Sequence, residues 1–391
     1  MNHQRNDNRG YYGVASRLLC NALKFRYSQL RSRPQKPAVL SLALTNRCNS
    51  HCIMCNIWKT ADNIPELKSL EISAREITDL VSQPLFSNLV EIDLTGGEPH
   101  LRDDLVDIVL GISQLKKSSL RKLRSIIITS NGFLTKRIIS NYTDILSSLK
   151  GTDTDLVAVI SLDGIGETHD KIRGTQGAFK LVSETIGALL DLKQKYENLI
   201  LGIKTTVLPD NIDALDSILD FAISKDIFHI ISPVLFTEAR FKNLNRKDDL
   251  SLGPNEYKKV LDFYSRDELA TSYFYSTTSG FLSNHHRCWV CTALFNYLFV
   301  DYDGKIYPCE IIPEPVGDLN MQNIRDIWES PRARIFRSRI GNLEYCRACH
   351  EPGAVRYSAV TEGMSYLKFL NKLGGRKFRE SWRGEGFSKY T

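Results

Sequence analysis

From residue 38 onward, short apolar runs alternate with longer segments whose apolar residues recur every three or four positions. The runs AVLSLALT (38–45), LVEIDLT (89–95), SIIIT (125–129), LVAVISL (156–162), LILGIKTTVL (199–208) and HIISPVL (229–235) predict six strands. The intervening segments predict helices near 73–83, 101–115, 134–148, 177–196 and 212–225. Ser73 and Glu76 form a capping-box signature at the start of the first. Strands alternating with helices favour a parallel sheet with right-handed crossovers. The pattern suits an open barrel or a twisted sheet equally. Ligands of parallel sheets sit at the C-terminal strand ends, and the unusual residues of this chain fall there.

The flanks read differently. Residues 1–10 predict disorder, and 11–33 predict an amphipathic helix ended by Pro34 and Pro37. Arg17, Asn21, Lys24, Ser28 and Arg31 would line its polar face, and Ala15, Leu18, Leu19, Ala22, Leu23 and Leu30 its apolar one. Residues 236–285 look irregular around one helix near 255–266. YLFVDYDGKIYPC (297–309) predicts a hairpin turning at Asp303–Gly304, and a helix follows near 323–339. The tail, with Gly374, Gly375 and Gly384, is expected to be loosely held. The expected divisions are an extension (1–37), a core (38–250), a connector (251–284), a cysteine-rich unit (285–352) and a basic tail (353–391).

Composition narrows the class. The 391 residues are 42% hydrophobic and 25% charged, ordinary for a globular chain. No apolar run suits a membrane span, and the N-terminus has no signal-peptide core. A cytoplasmic protein with reduced thiols is expected, so nine cysteines point to metal binding. Residues 1–37 carry +7 and residues 365–391 carry +5 of a total of +6, which leaves −6 on the body. A nucleic-acid binder would be basic around its working site, so that class is disfavoured. For the basic N-terminal helix, packing against the core with a solvated face, peripheral contact with an anionic membrane and clamping of RNA phosphates stay open.

Cys48, Cys52 and Cys55 follow the first strand in Cys-x3-Cys-x2-Cys spacing. A thiolate-rich loop suits a soft metal or an iron–sulfur cluster. Three thiolates on a four-iron cube leave one iron open, which is how a metal site admits substrate. Gly96-Gly97-Glu98-Pro99 follows the second strand, Asn131-Gly132 the third, Ser161 and Arg173 the fourth, and Asn211 the fifth. Glycines allow close backbone approach, and an arginine fork pairs with a carboxylate.

Together these motifs resemble the radical S-adenosylmethionine (SAM) superfamily over residues 38–235. The resemblance implies an α/β fold, a partial (β/α)6 barrel of parallel strands. It implies a [4Fe–4S] cluster on Cys48, Cys52 and Cys55 whose unique iron chelates SAM. Reductive cleavage of SAM to a 5′-deoxyadenosyl radical and hydrogen abstraction from substrate would follow, fed by a low-potential donor such as a flavodoxin or ferredoxin. Gly96, Gly97, Glu98 and Pro99 would then meet the SAM ammonium, Ser161 and Arg173 its carboxylate, and Asn131 and Asn211 the ribose, with a simple turn at Asn131 and surface helix-capping by Asn211 equally open. Trp58 would pack near the adenine or cover the cluster. His169 is expected to be structural.

Five further cysteines lie at 288, 291, 309, 346 and 349. Their spacing resembles the auxiliary-cluster domains called SPASM and twitch, in the shorter form with one [4Fe–4S] cluster. The expected ligands are Cys291, Cys309, Cys346 and Cys349, the small C-terminal unit being cysteine-rich and α+β. The pairs Cys288/Cys291 and Cys346/Cys349 also match a zinc arrangement. Glu310 is the candidate catalytic base. The expected reaction is radical oxidation of a peptide or carbohydrate-like substrate. Alternatives are epimerisation or carbon–carbon bond formation, or a non-catalytic iron–sulfur or zinc-binding regulator.

Overall fold

The computed structural model describes residues 10–31 and 33–390, so the disorder expected for residues 1–10 lies, Gly10 apart, outside them. Helix α1 (Tyr11–Arg31) precedes the sheet. The six apolar runs form β1 (Val39–Ala43), β2 (Glu91–Thr95), β3 (Ser125–Ser130), β4 (Asp155–Ser161), β5 (Leu199–Val207) and β6 (Phe228–Pro233). Each pairs with the next in parallel. The crossover helices are α2 (Ala74–Ser82), α3 (Leu105–Gln114), α4 (Thr135–Leu149), α5 (Glu167–Arg173), α6 (Ala178–Lys195) and α7 (Leu215–Ser224). The capping box forms: the Glu76 N–H donates to Ser73 Oγ, and the Ser73 N–H donates to Glu76 Oε2 at 2.8 Å.

The sheet order β6-β5-β4-β3-β2-β1-β7-β8-β9 leaves β6 and β9 as edges, so the barrel is open. Strand β7 (Tyr297–Val300) lies parallel to β1, with Tyr297 opposite Val39. Strands β8 (Lys305–Tyr307) and β9 (Gly317–Asp318) continue outward antiparallel. The cysteine-rich unit therefore extends the core sheet. Period-2 alternation sorts the strands. Leu40, Leu42, Ile92 and Leu94 are fully buried, whereas Asp93, Thr95 and Lys204 are half-buried. One face is a packed core, and the other lines a lumen that carries charge.

Four expectations are corrected. The helix near 323–339 is two, Ile324–Glu329 and Pro331–Arg339. Pro331 has no N–H to continue the first, and Ser330 Oγ caps the second by accepting from the Ala333 N–H at 3.0 Å. In the segment expected to be irregular, Tyr273–Asn284 is a helix capped by Ser272. Burial of Tyr273, Phe274 and Tyr275 overrides its poor intrinsic propensity.

The faces of α1 also differ from expectation. Val14, Leu18, Ala22 and Phe25 are buried, Ser28 is buried with them, and Asn21 Nδ2 donates to Val360 O at 3.0 Å. Leu19, Leu23 and Leu30 face outward. The apolar residues thus split onto two sides of one helix. The inner side packs against α8 (Pro352–Glu362) and α9 (Met364–Gly384, kinked at Gly374). A Cβ at Gly363 would stand 2.2 Å from Leu18 O, so glycine is required for the approach.

The tail is not loosely held. Tyr366, Phe378, Trp382 and Phe387 are buried, with Tyr366 and Phe387 edge-to-face at 4.8 Å. Arg356 and Lys389 both pair with Glu91 on β2, a fully buried carboxylate that also accepts from Ser125 Oγ at 3.1 Å. Burial would raise the Glu91 carboxyl, but the two cations outweigh it and hold it at about 2. This ion cluster closes the floor of the lumen.

Candidate active site

The three thiols of the first loop stand at the opposite end, above the C-terminal ends of the strands. The loop is laced to α5: the His51 N–H donates to Arg173 O at 3.1 Å, and the Ile53 N–H to Ile172 O at 2.9 Å. Gly174 has φ +60°, and a Cβ there would meet His51 O at 2.4 Å. Cys52 is buried, and its Sγ lies 3.0 Å from Ser50 Oγ and 3.5 Å from Arg173 Nη1. Asn131 Nδ2 donates to Asn49 Oδ1 at 2.7 Å and sits 3.9 Å from Cys48 Sγ. Trp58 stacks edge-on against His51, ring centres 4.8 Å apart, and so covers the loop.

The Gly96–Pro99 turn packs on this loop. The Gly97 N–H donates to Thr45 O at 2.6 Å and the Glu98 N–H to Arg47 O at 2.8 Å. A Cβ at Gly96 would lie 2.4 Å from Thr45 O, and one at Gly97 2.1 Å from Arg47 O. The close approach these glycines permit is to backbone of the cysteine loop. Replacing Gly97 with alanine is expected to push the turn off the loop and lower iron retention after desalting. Normal retention would show that the contact is dispensable. Pro99 opens a short buried turn. Glu98 is fully buried, and its carboxylate accepts from the Asn131 N–H (2.7 Å), Ser130 Oγ (3.0 Å) and the His100 N–H (3.1 Å). Burial raises it to about 7 against those donors. In this structure it braces β2 to β3, a role the expected ammonium contact did not foresee.

Arg173 lies between loop and barrel. Its guanidinium contacts Cys52 and forms a 2.5 Å ion pair with Asp163, which is fully buried, while Nε has no protein partner. Ser161 ends β4 opposite Lys204 of β5. His169 accepts from the Asp163 N–H at 3.0 Å, and burial lowers it to about 3, which fits its structural reading. Asn211 holds the turn that follows β5. It is buried, donates to Asp163 O and Thr206 O at 2.9 Å each, and accepts from the Leu208 N–H at 2.8 Å. These bonds join the ends of β4 and β5.

Between mouth and floor lies a polar layer. Ser41 Oγ donates to Glu310 Oε1 at 3.0 Å and lies 3.3 Å from Asp93 Oδ2. Tyr357 OH reaches Asp93 at 3.5 Å. Burial, then the charges of Glu310 and Glu91, raise Asp93 to about 7 against Lys204 and Arg356. Burial and Glu310 raise Glu351 as well. Asp93 and Lys204 were missed in the sequence. Their signal was an ionisable residue inside an apolar run, at positions sharing the face of Ser41 and Ser161. Arg240 was also missed: buried, it donates to Gly96 O at 2.9 Å and lies over the Phe299 ring. Nothing in its irregular segment marked it.

The second cysteine set converges as well. Cys291, Cys309, Cys346 and Cys349 line one small recess beside Tyr297 and Ile311. Cys288 and Cys20 are exposed, away from it. Among the described residues no three Cys, His, Asp or Glu side chains clasp a single-ion position. Four converging thiols are a donor set that suits an iron–sulfur cluster.

Comparison with known proteins settles the family. Residues 42–222 match the model of the radical SAM superfamily, and residues 291–350 match that of the SPASM iron–sulfur cluster-binding domain. The chain belongs to the radical SAM superfamily. An AdoMet-dependent heme synthase of Methanosarcina barkeri is 25% identical over 87% of this chain and 98% of its own. The sporulation killing factor maturation protein SkfB of Bacillus subtilis is 24% identical over 76% of this chain and 66% of its own. The structure of native anSMEcpe with bound AdoMet and Cp18Cys peptide superposes with TM-score 0.55 at 19% identity, covering 90% of this chain and 96% of that one, a likeness of fold.

The radical SAM domain binds a [4Fe–4S] cluster and SAM, and the SPASM domain binds auxiliary iron–sulfur. The donor sets of this radical SAM chain fit such groups. Burial and the neighbouring Cys52 raise Cys48 to about 12 and Cys55 to about 11. Burial likewise raises Cys291, Cys309 and Cys349. Left alone, these thiols keep their protons; iron draws them into thiolates. The recess assigns different outcomes to the adjacent pair. Cys291→Ala is expected to lower bound iron from about eight to about four per chain, and Cys288→Ala to leave it unchanged. Iron and sulfide assays on reconstituted protein check this, and equal losses would sink it.

Proposed function

We propose that this radical SAM enzyme abstracts hydrogen from a peptide or carbohydrate-like substrate held in the lumen and oxidises it. When bound, the cluster on Cys48, Cys52 and Cys55 with SAM supplies the hydrogen-abstracting 5′-deoxyadenosyl radical, and the auxiliary cluster supplies an electron acceptor. The chain's own residues do the rest. Arg173, with Ser161, offers positive charge to the SAM carboxylate, and its unpartnered Nε is the donor left for that contact. Asn131, held beside Cys48, presents its amide at the ribose end. Trp58 excludes water from the loop.

One observation carries the oxidative reading. Glu310 directly follows Cys309, which lines the auxiliary recess, yet its Oε1 reaches Ser41 in the lumen. A substrate hydroxyl or amide lying there can give its proton to Glu310, and a cluster held by Cys291, Cys309, Cys346 and Cys349 would supply the acceptor for the electron the substrate loses. Asp93 beside it keeps a proton up to about pH 7, because burial and Glu310 both oppose its ionisation. The net change is loss of two hydrogens from the substrate. The names of the relatives span heme synthesis and maturation of a sporulation killing factor, and the solved structure of like fold holds a peptide. The polar layer of Asp93, Glu310 and Lys204 supports a substrate rich in hydrogen-bonding groups.

The test uses reduced, reconstituted enzyme with SAM and deuterated cell extract split into peptide and saccharide pools. Deuterium in 5′-deoxyadenosine identifies the pool, and a product lighter by two hydrogens supports oxidation. A product lighter by one mass unit, a single deuterium replaced by solvent hydrogen, would instead show epimerisation. Glu310→Gln is expected to retain SAM cleavage yet lower the dehydrogenated product roughly 100-fold or more, quantified by mass spectrometry. Unchanged product yield would remove Glu310 as the base.

A further inference from the structure

We propose that the outer face of α1 docks the enzyme on an anionic lipid bilayer. Five large side chains on this helix are exposed: Tyr12 (87%), Leu19 (43%), Leu23 (70%), Tyr27 (61%) and Leu30 (86%). Their spacings of seven, four, four and three residues place them on one side. They form a continuous stripe, opposite the side that buries Val14, Leu18, Ala22 and Phe25. An isolated exposed leucine is ordinary; an ordered stripe is an interaction surface.

The charges around the stripe select the occupant. Arg17, Lys24 and Arg31 recur every seven residues along one flank, and Arg26 stands on the other; all are exposed. The helix contains no Asp or Glu. Helix α9, in contact with it through Tyr11 and Phe378, adds exposed Lys368 and Lys372. Leucines and tyrosines flanked by basic rows suit the boundary between headgroups and acyl chains of a bilayer with anionic lipids. Tyrosine, apolar in body and polar at its tip, favours that depth. A second copy of the chain fits less well. A two-fold contact through α1 would bring its own basic rows together without an acidic partner. The inner anchors hold the helix folded and outward-facing before any lipid is met, so docking needs no coupled folding.

The experiment is flotation of the full-length, reconstituted protein with phosphatidylcholine vesicles, with and without phosphatidylserine. The protein is expected to float with the phosphatidylserine vesicles, to remain below with phosphatidylcholine alone, and to be released by salt. Leu23→Glu/Leu30→Glu is expected to weaken binding at least about tenfold. Because both leucines are exposed, its melting temperature should match wild type. Arg17→Glu/Lys24→Glu is a second variant outside the packed face, also expected to lose about tenfold or more. Wild type that fails to float with anionic vesicles would overturn the proposal. So would binding indifferent to both variants, or a dimer in gel filtration that Leu23→Glu/Leu30→Glu splits.

Discussion

Cys52→Ala is expected to abolish 5′-deoxyadenosine formation in reduced, reconstituted protein while leaving the chain folded. Cys52 is the central thiol of its loop, buried, and the one that Arg173 and Ser50 approach. Two thiols cannot hold a four-iron cube in place of three, and Arg173 would keep only Asp163 as a charged partner. The fold should survive because Cys52 belongs to a small satellite cluster with Met54, Ile172, Leu208, Val234 and Leu250, apart from the main core. Three measurements decide it: iron falling by about four per chain, nucleoside product by chromatography, and an unchanged melting temperature. SAM cleavage surviving in a variant with verified iron loss would mean that the catalytic cluster lies elsewhere.

Glu91→Gln is expected to lower stability by roughly 3–5 kcal/mol, because it strands Arg356 and Lys389 as buried cations without their carboxylate. A drop of several degrees in melting temperature is the readout. The same group gives wild type an acid-sensitive component. Its folded carboxyl sits at about 2 against an ordinary 4.5. A depressed carboxylate stabilises the fold above its unfolded pKa, and the contribution is lost as pH falls from about 4.5 toward about 2. The difference is worth roughly 3 kcal/mol. The glutamine variant should lack that share of the acid loss. Equal melting temperatures near neutral pH would show that the floor of the lumen does not depend on this cluster. Loosening it would also admit water to the layer holding Asp93 and Glu310.

The motifs were legible because their chemistry is local. Three cysteines within eight residues, a Gly-Gly-Glu-Pro turn and a Ser161/Arg173 pair each sit in one segment after a strand. The glycines were legible as close-approach positions, but what they approach was not: Thr45 and Arg47 are about fifty residues away in the chain. Asn211 shows the same gap. An asparagine after a strand offers amide chemistry to any neighbour, and only the assembled β4–β5 ends show that it bonds Asp163 O, Thr206 O and the Leu208 N–H. Glu91 and Asp93 stand two residues apart on one strand face with opposite fates. One is held at about 2 by two cations from the tail, and the other is raised to about 7 in the lumen.

What the sequence determined by itself is the periodicity and the thiol spacing: the six parallel strands, their crossover helices, and a loop able to hold a cluster by three sulfurs. Those follow from backbone geometry and from donor chemistry within a few residues. Only the tertiary structure decided that Cys291 and not Cys288 enters the recess, that the cysteine-rich hairpin extends the core sheet, and that the basic tail seals the lumen. It also decided which leucines of α1 are buried. Each of these depends on partners tens to hundreds of residues distant, whose burial and charge no local pattern encodes.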